Sequence, residues 1–289
     1  MKSIEIYINM CDCLEPFQST EVFIETLKQR TGFLKTTTNY DVTGVYVGIE
    51  FCSRFLDRND LNYYLNNCNT IKKMSLNISY VVPPLEEQEI NMEKLKTLFE
   101  LLNAKMINEV IFNDLGSIAW FRTFDYDVPI RLGRLFDKSV REVRFYVDEY
   151  TKMENKNILF KPIFFDDFYG KLFLEYNIKG FDLDTVPFDK LEINDQYSGV
   201  IGIHYPRIVL ARSYFCEYAM NLGEPLVKKC NYDCKRYLKK LTLKNDSIVY
   251  LDGNVLVIFQ KENFHNNIIT NNNIRMIYSG GENEYNCTC

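Results

Sequence analysis

Short apolar segments with strand character alternate with amphipathic helical patterns along most of this chain. Residues 4–8 and 45–49 predict the first two strands, and the second run is apolar enough to be buried on both faces. Repeated strand–helix units of about 30 residues favour parallel strands joined by right-handed crossovers. Six to eight such units predict an α/β fold, a TIM-like parallel barrel that is either regular or incomplete.

Helix signals separate the predicted strands. The first helix has Ser19 or Thr20 as its N-cap and Gly32 after its end. A second helix has Leu61, Tyr64, Leu65 and Cys68 on one apolar face, so Cys68 is expected to be a core residue. Further strands are predicted at 74–80, 110–112, 128–130, 158–165, 180–183 and 200–203, and further helices at 92–102, around 118–120 and at 172–176.

The pattern changes after Cys234. Residues 248–251 and 255–259 flank Asp252-Gly253, a dipeptide that suits a tight hairpin turn. We therefore predict an α/β barrel at residues 1–240, which carries a cysteine cluster, and a β-hairpin extension with a mobile cysteine-containing tail at 241–289.

The composition narrows the function classes. The chain has only two histidines, which leaves little material for a Ser-His-Asp triad or a histidine-rich zinc site. A net charge of −5 without a dense basic run argues against nucleic acid as a partner. No segment reaches the roughly 20 apolar residues that cross a bilayer, and the N-terminus does not resemble a signal peptide. We expect a cytoplasmic protein with no membrane partner.

Nine cysteines are unusual in a compartment that keeps thiols reduced, where clustered cysteines are more often ligands than disulfides. Cys216, Cys230 and Cys234 lie close in the sequence, and a spacing of four puts the last two on one helical face. Cys52 directly follows the second strand, and the C-terminal ends of parallel barrel strands form the functional face. We predict that these four cysteines bind one metal centre, and their spacing leaves zinc and an iron–sulfur cluster open.

Other polar residues near predicted strand ends are weaker candidates for catalysis. These candidates are Glu50, Arg131, Arg134 and His204. The two arginines suit a carboxylate substrate, or they form surface ion pairs. Glu50 is a candidate acid–base group, and His204 is either another or a hydrogen-bonded structural residue. Asp182 and Asp184 alternate on a predicted strand, and a carboxylate inside the barrel would require a partner.

Three segments resemble the collagenase-like peptidase family U32. Residues 45–54, VYVGIEFCSR, resemble the family's strand-Gly-x-x-x-Cys-Ser segment, and residues 113–116, NDLG, resemble its Asp-Leu-Gly turn. Residues 212–216, RSYFC, together with Cys230 and Cys234, are similar in spacing to the cysteines of its cluster-bearing members. A loose similarity covers most of residues 1–240.

The resemblance implies a barrel with a 4Fe-4S cluster on Cys52, Cys216, Cys230 and Cys234, and it makes zinc the less favoured metal. Cluster-bearing relatives act in oxygen-independent hydroxylation of quinone precursors or RNA bases, with prephenate as oxygen source in some. Several work as heteromeric pairs, so a homologous or accessory subunit and a small-molecule substrate are the expected partners. Two alternatives are a peptidase of the same family and a non-catalytic scaffold subunit with structural zinc.

Two cysteine pairs depart from the family pattern. Cys11 and Cys13 follow the first strand, where they could face the barrel mouth as a redox pair, alternative ligands or a sulfur acceptor. They could equally be thiols without a role. Cys287 and Cys289 lie in the predicted tail. These departures leave the substrate open.

Overall fold

A computed structural model of the protein describes most of the chain. The described residues are 5–11, 20–38, 41–58, 60–137, 167–184, 199–213, 239–243, 248–252, 254–259 and 274–280. The strand predicted at residues 158–165 lies outside them. Among the helices that the structure describes, none combines the length and apolar character required to cross a bilayer.

A closed barrel of eight parallel strands forms the centre of the protein, which confirms the predicted fold class. In barrel order its strands are β1 (Glu5–Asn9), β2 (Val42–Gly48), β3 (Asn77–Val82), β4 (Glu109–Phe112), β5 (Ile130–Leu132), β6 (Ile178–Asp184), β7 (Val200–Tyr205) and β12 (Ile274–Tyr278). Strand β12 pairs with both β7 and β1 and so closes the barrel.

Helices cover the outside of the barrel and bury the outward face of its strands. They are α1 (Thr20–Thr38), α2 (Leu61–Lys73), α3 (Lys96–Asn103), α4 (Leu115–Phe121) and α5 (Asp167–Glu175). Strand residues Val45 and Val47 pack with the helix residues Tyr64 and Ile71 in the main apolar core. This outer layer accounts for the continuous apolar runs in the sequence.

Several boundaries differ from the prediction, and two of them have a clear physical reason. Helix α1 does not end before Gly32 but continues to Thr38, because Leu34 extends the buried face of Phe23 and Leu27 by two more turns. That burial outweighs the roughly 1 kcal/mol that a glycine costs inside a helix. Met74 belongs to the end of α2, where its N–H bonds the helix carbonyls, so β3 begins only at Asn77.

A second sheet has four antiparallel strands in the order β8 (Arg207–Arg212), β11 (Val255–Phe259), β10 (Ile248–Asp252) and β9 (Lys239–Thr242). The predicted hairpin is present as β10 and β11, with Asp252 paired to Val255 across the turn. The two sheets do not divide at residue 240: β8, which precedes that residue, belongs to the second sheet, and β12, which follows it, belongs to the barrel. The hairpin is therefore part of an excursion between two barrel strands.

The barrel interior is unusually polar. An apolar cluster inside it contains Tyr7, Cys11, Tyr46, Val81, Ile111 and Ile277. Fully buried charged side chains, including Arg131 and Asp182, occupy the remaining space. Gly202 makes room for this pair, because a Cβ there would overlap the Asp182 carboxylate and lie 2.7 Å from Arg131 Nη2.

We expect Gly202→Ala to destabilise the protein by about 1–3 kcal/mol, the usual cost of overpacking a filled interior. Gly32→Ala is the matched control, because a Cβ at Gly32 has open space around it. In a helix that change should stabilise by about 0.5–1 kcal/mol. Urea unfolding of both variants measures the difference, and equal effects would contradict the packed polar interior.

Candidate functional site at the barrel mouth

The C-terminal ends of the barrel strands bring polar side chains together at one mouth. Asn9 ends β1, Glu50 follows β2, Asn113 follows β4 and Asp184 ends β6, and all four are buried. The Asn9 amide donates to the Glu50 carboxylate at 3.3 Å, which links two neighbouring strands. The predicted convergence of strand ends is therefore present, with Glu50 as one of its members.

Arg134 lies at the centre of this mouth and is fully buried. Its Nε and Nη2 donate to the two Glu50 oxygens at 2.5 and 2.8 Å, a bidentate pair. Its Nη1 donates to Asp184 at 2.8 Å and to the backbone carbonyl of Arg207 at 3.0 Å. The expectation of a surface ion pair is wrong for Arg134, since the guanidinium holds two internal carboxylates.

Arg131 is also fully buried, on β5 within the barrel. Its guanidinium donates to Asp182, to Glu109 at 3.2 Å and to the hydroxyl of Tyr46 at 2.9 Å. Arg275, on β12, donates to the same Glu109 carboxylate. A surface ion pair is thus the wrong expectation here too, since Arg131 binds two internal carboxylates and shares one of them, Glu109, with Arg275.

Two buried carboxyls of this network, Asp182 and Glu109, have lowered pKa values. Burial by itself raises the pKa of Asp182, but the Arg131 guanidinium and the adjacent His204 ring, 3.5 Å away, lower it by more, so the net pKa lies below its ordinary value. Burial likewise raises the pKa of Glu109, while Arg131, Arg275 and a 2.6 Å hydrogen bond from Ser79 bring the net value down. Both groups are therefore held as carboxylates.

His204 lies between a carboxylate that binds Arg131 and a carboxylate that binds Arg134. Its Nε2 lies 3.5 Å from Asp182 Oδ2 and 3.9 Å from Glu50 Oε1, and the ring is almost fully buried. The Tyr46 ring meets it edge-on at 6.0 Å. An imidazole between two carboxylates can hold or pass a proton, so His204 and Glu50 are brought together as acid–base candidates.

Cys52 is half-buried and packs against the main core beside this mouth. The preceding residue, Phe51, accepts two side-chain hydrogen bonds at its carbonyl, from Arg212 Nε at 3.1 Å and Asn254 Nδ2 at 3.3 Å. Both donors belong to the second sheet or its hairpin turn. The segment that carries Cys52 is thus fastened to the second sheet as well as to the barrel.

The structure describes only some of the predicted cysteines. Cys216, Cys230 and Cys234 lie outside the described residues, as do Cys13, Cys287 and Cys289. Cys11 is buried in the apolar cluster of the barrel interior. Cys68 is a core residue on α2 as predicted, and burial raises the pKa of its thiol to about 12. Within the described residues, no three His, Cys, Asp or Glu side chains are arranged to hold a metal ion.

Several residues of the network were missed by the sequence analysis. Glu109, Arg275 and Asn254 carry no motif, and their partners lie far away in the sequence. The one available signal is a charged residue within an apolar strand, as in Glu109 at the start of β4. A buried charge in a strand implies a partner, but the sequence does not say which.

The comparisons with known proteins are sparse. The solved structure of the U32 peptidase Mk0906 is similar to this chain at 11% sequence identity and a TM-score of 0.43, covering 98% of this chain and 95% of that chain. No family model matches the sequence. No curated protein matches it. At this identity and TM-score the likeness carries no argument about function, and the barrel assignment rests on the strand pairing itself.

The lowered pKa values predict acid sensitivity. A carboxyl whose pKa is lowered on folding contributes stability that is complete above its ordinary value of about 4 and is lost as the pH falls through the folded value. Asp182→Asn removes one partner of a buried ion pair and should cost about 3–5 kcal/mol at pH 7. The difference in free energy of unfolding between this variant and the unchanged protein should become smaller between pH 5 and pH 3. Urea unfolding at each pH measures it.

Glu100→Gln is the control for this experiment, because Glu100 is an exposed carboxyl on α3. It should change the free energy of unfolding by less than about 0.5 kcal/mol across the same pH range. A gap for Asp182→Asn that stays constant with pH would contradict the inferred ionisation.

Proposed function

We propose that this chain is a 4Fe-4S protein that acts in, or assists, an oxygen-independent hydroxylation or related redox modification of a small molecule. The cluster would be held by Cys52, Cys216, Cys230 and Cys234 beside the barrel mouth. The motifs at residues 45–54 and 212–216, together with Cys230 and Cys234, are similar to those of the ubiquinone-biosynthesis protein UbiV and its partner UbiU. A homologous or accessory subunit and a cytoplasmic location are parts of the same proposal.

The main observation behind this proposal is that Phe51 is hydrogen-bonded to residues of the second sheet. The Asn254 amide donates both to the carbonyl of Phe51 at 3.3 Å and to that of Ser213 at 3.1 Å. One side chain therefore holds two backbone carbonyls close together. Cys52 follows the first carbonyl directly, and Cys216 follows Ser213 by three residues in the sequence.

The strand order of the second sheet supports the same site. Arg212 pairs with Val255 and Lys239 pairs with Leu251, and both pairs lie at the turn end of the β10–β11 hairpin. The chain therefore leaves β8 and enters β9 at one end of this sheet. Residues 214–238, which include Cys216, Cys230 and Cys234, are therefore joined in sequence at both ends to the end of the sheet that holds the Cys52 segment.

Cys52 is the one proposed cluster ligand among the described residues, and its chemistry suits that role. Thiolates are the usual ligands of a 4Fe-4S cluster, which supplies one-electron transfer when bound. Cys52 offers a half-buried sulfur, and the Phe51 carbonyl before it is fixed from two sides. Glu50 and His204 Nε2 lie 3.9 Å apart and can hold or move a proton near that segment. Arg134 keeps the Glu50 carboxylate in place through its bidentate pair.

Purification without oxygen tests the proposal. We expect a brown protein with about four irons and four sulfides per chain, because four thiolates complete the cluster. Cys52→Ala and Cys230→Ala should each remove most of the iron and the visible absorption. Cys68→Ala is the control, because that thiol is buried in the core, and the variant should retain the colour.

Other outcomes would replace the proposal. A colourless protein with one zinc per chain, lost on the same substitutions, would favour a structural zinc site in a scaffold subunit. Peptide cleavage by a variant that lacks all four cysteines would favour the peptidase. Metal binding that persists in the Cys52→Ala and Cys230→Ala variants would contradict the ligand set.

A further inference from the structure

Arg134 connects three separate parts of the chain through one buried side chain. It donates to Glu50 after β2, to Asp184 at the end of β6 and to the carbonyl of Arg207 at the start of β8. Its guanidinium also lies over the Phe51 ring, 5.1 Å from the centroid. The first two parts belong to the barrel mouth and the third begins the second sheet.

Two further contacts strengthen this connection. The other Asp184 oxygen accepts the backbone N–H of Val209 at 3.3 Å, so the carboxylate that binds Arg134 also holds β8. Arg207 lies over the same Phe51 ring at 5.3 Å and donates to the Asp252 carboxylate at the end of β10. The Phe51 side chain is thus packed under guanidinium groups from the barrel and from the second sheet.

Only an arginine can make this set of contacts. The planar guanidinium directs its donors in a fixed fork, which lets Arg134 reach Glu50 with two parallel bonds while Nη1 serves Asp184 and Arg207. A lysine carries its charge on one nitrogen and cannot donate to both Glu50 oxygens and to Asp184 in the same geometry. The remaining buried acceptors would lose their partners.

We propose that Arg134 is a positioning residue that fixes the Phe51–Cys52 segment between the barrel mouth and the second sheet. This inference rests on the proposed function, because Cys52, the residue whose position Arg134 fixes, is proposed as a cluster ligand. The contacts it depends on are independent of any metal. The positioning can therefore be tested in the protein with and without iron.

Arg131 provides a matched comparison. It too is fully buried and binds two carboxylates, Asp182 and Glu109. Its described contacts lie within the barrel strands and do not include the second sheet or Phe51. Substituting either arginine should cost a similar amount of stability, because each substitution disrupts a buried ion pair. A change in the position of the Phe51–Cys52 segment should appear only when Arg134 is substituted.

The experiment compares Arg134→Lys with Arg131→Lys in the full chain. In metal-free protein, amide hydrogen exchange at Val209 and Ser213 should accelerate about tenfold relative to the barrel strands in Arg134→Lys only, as expected from losing one or two hydrogen bonds. Alkylation of Cys52, followed by mass spectrometry, should accelerate in the same variant. After anaerobic reconstitution, its visible and electron paramagnetic resonance spectra should shift, and those of Arg131→Lys should match the unchanged protein.

Each outcome decides one of the two proposals. Equal exchange and alkylation in the two variants would overturn the positioning role. Failure of every variant and of the unchanged protein to bind iron would overturn the cluster, while the exchange and alkylation results would still judge the positioning. If Arg134→Lys does not fold, Glu50→Gln takes its place, because it removes the charge that pairs with Arg134 and keeps the side-chain shape.

Discussion

Charge pairing inside a closed barrel is the constraint on which the rest of this structure depends. Arg131, Arg134 and Arg207 are fully buried, and each binds at least one carboxylate that is itself buried. Removing a guanidinium from water costs several kcal/mol, and only well-placed carboxylates and backbone oxygens offset that cost. The interior therefore tolerates these residues only as a connected set. Backbone pairing sets the order of the strands, and the charge pairs link the strand ends that this order brings together.

The same network ties the two sheets together. Arg134 bonds carboxylates on the barrel and a carbonyl of β8, while Asp184 accepts from β8 on its other oxygen. A sheet packed by apolar contacts alone could shift by small amounts over the barrel end. Directional bonds to buried charges favour one arrangement, because a shift would leave buried charges without their partners. The Phe51–Cys52 segment lies where these bonds converge.

The sequence predicted the outer layer of the fold better than its interior. Val45 and Val47 face the helices, and such apolar strand residues made the parallel barrel predictable. The alternation of Phe181, Asp182, Leu183 and Asp184 predicted a strand whose carboxylates would need partners inside the barrel, and both are buried, but it did not identify those partners. Partners such as Glu109 and Arg275 are joined only by barrel closure, which no local pattern encodes.

Barrel closure also bears on the proposed site, because it determines where the segment that contains three of the cysteines leaves and re-enters the barrel. The chain leaves the barrel after β7 at Tyr205 and returns as β12 at Ile274, so the second sheet and residues 214–238 form one excursion between neighbouring strands. An excursion that follows the C-terminal end of a barrel strand starts at the mouth. Glu50 and Cys52 follow β2 at that same mouth, which is why one side chain, Asn254, can bond backbone from both segments. The proposal of a shared site therefore rests on the position of the insertion in the barrel more than on the spacing of its cysteines.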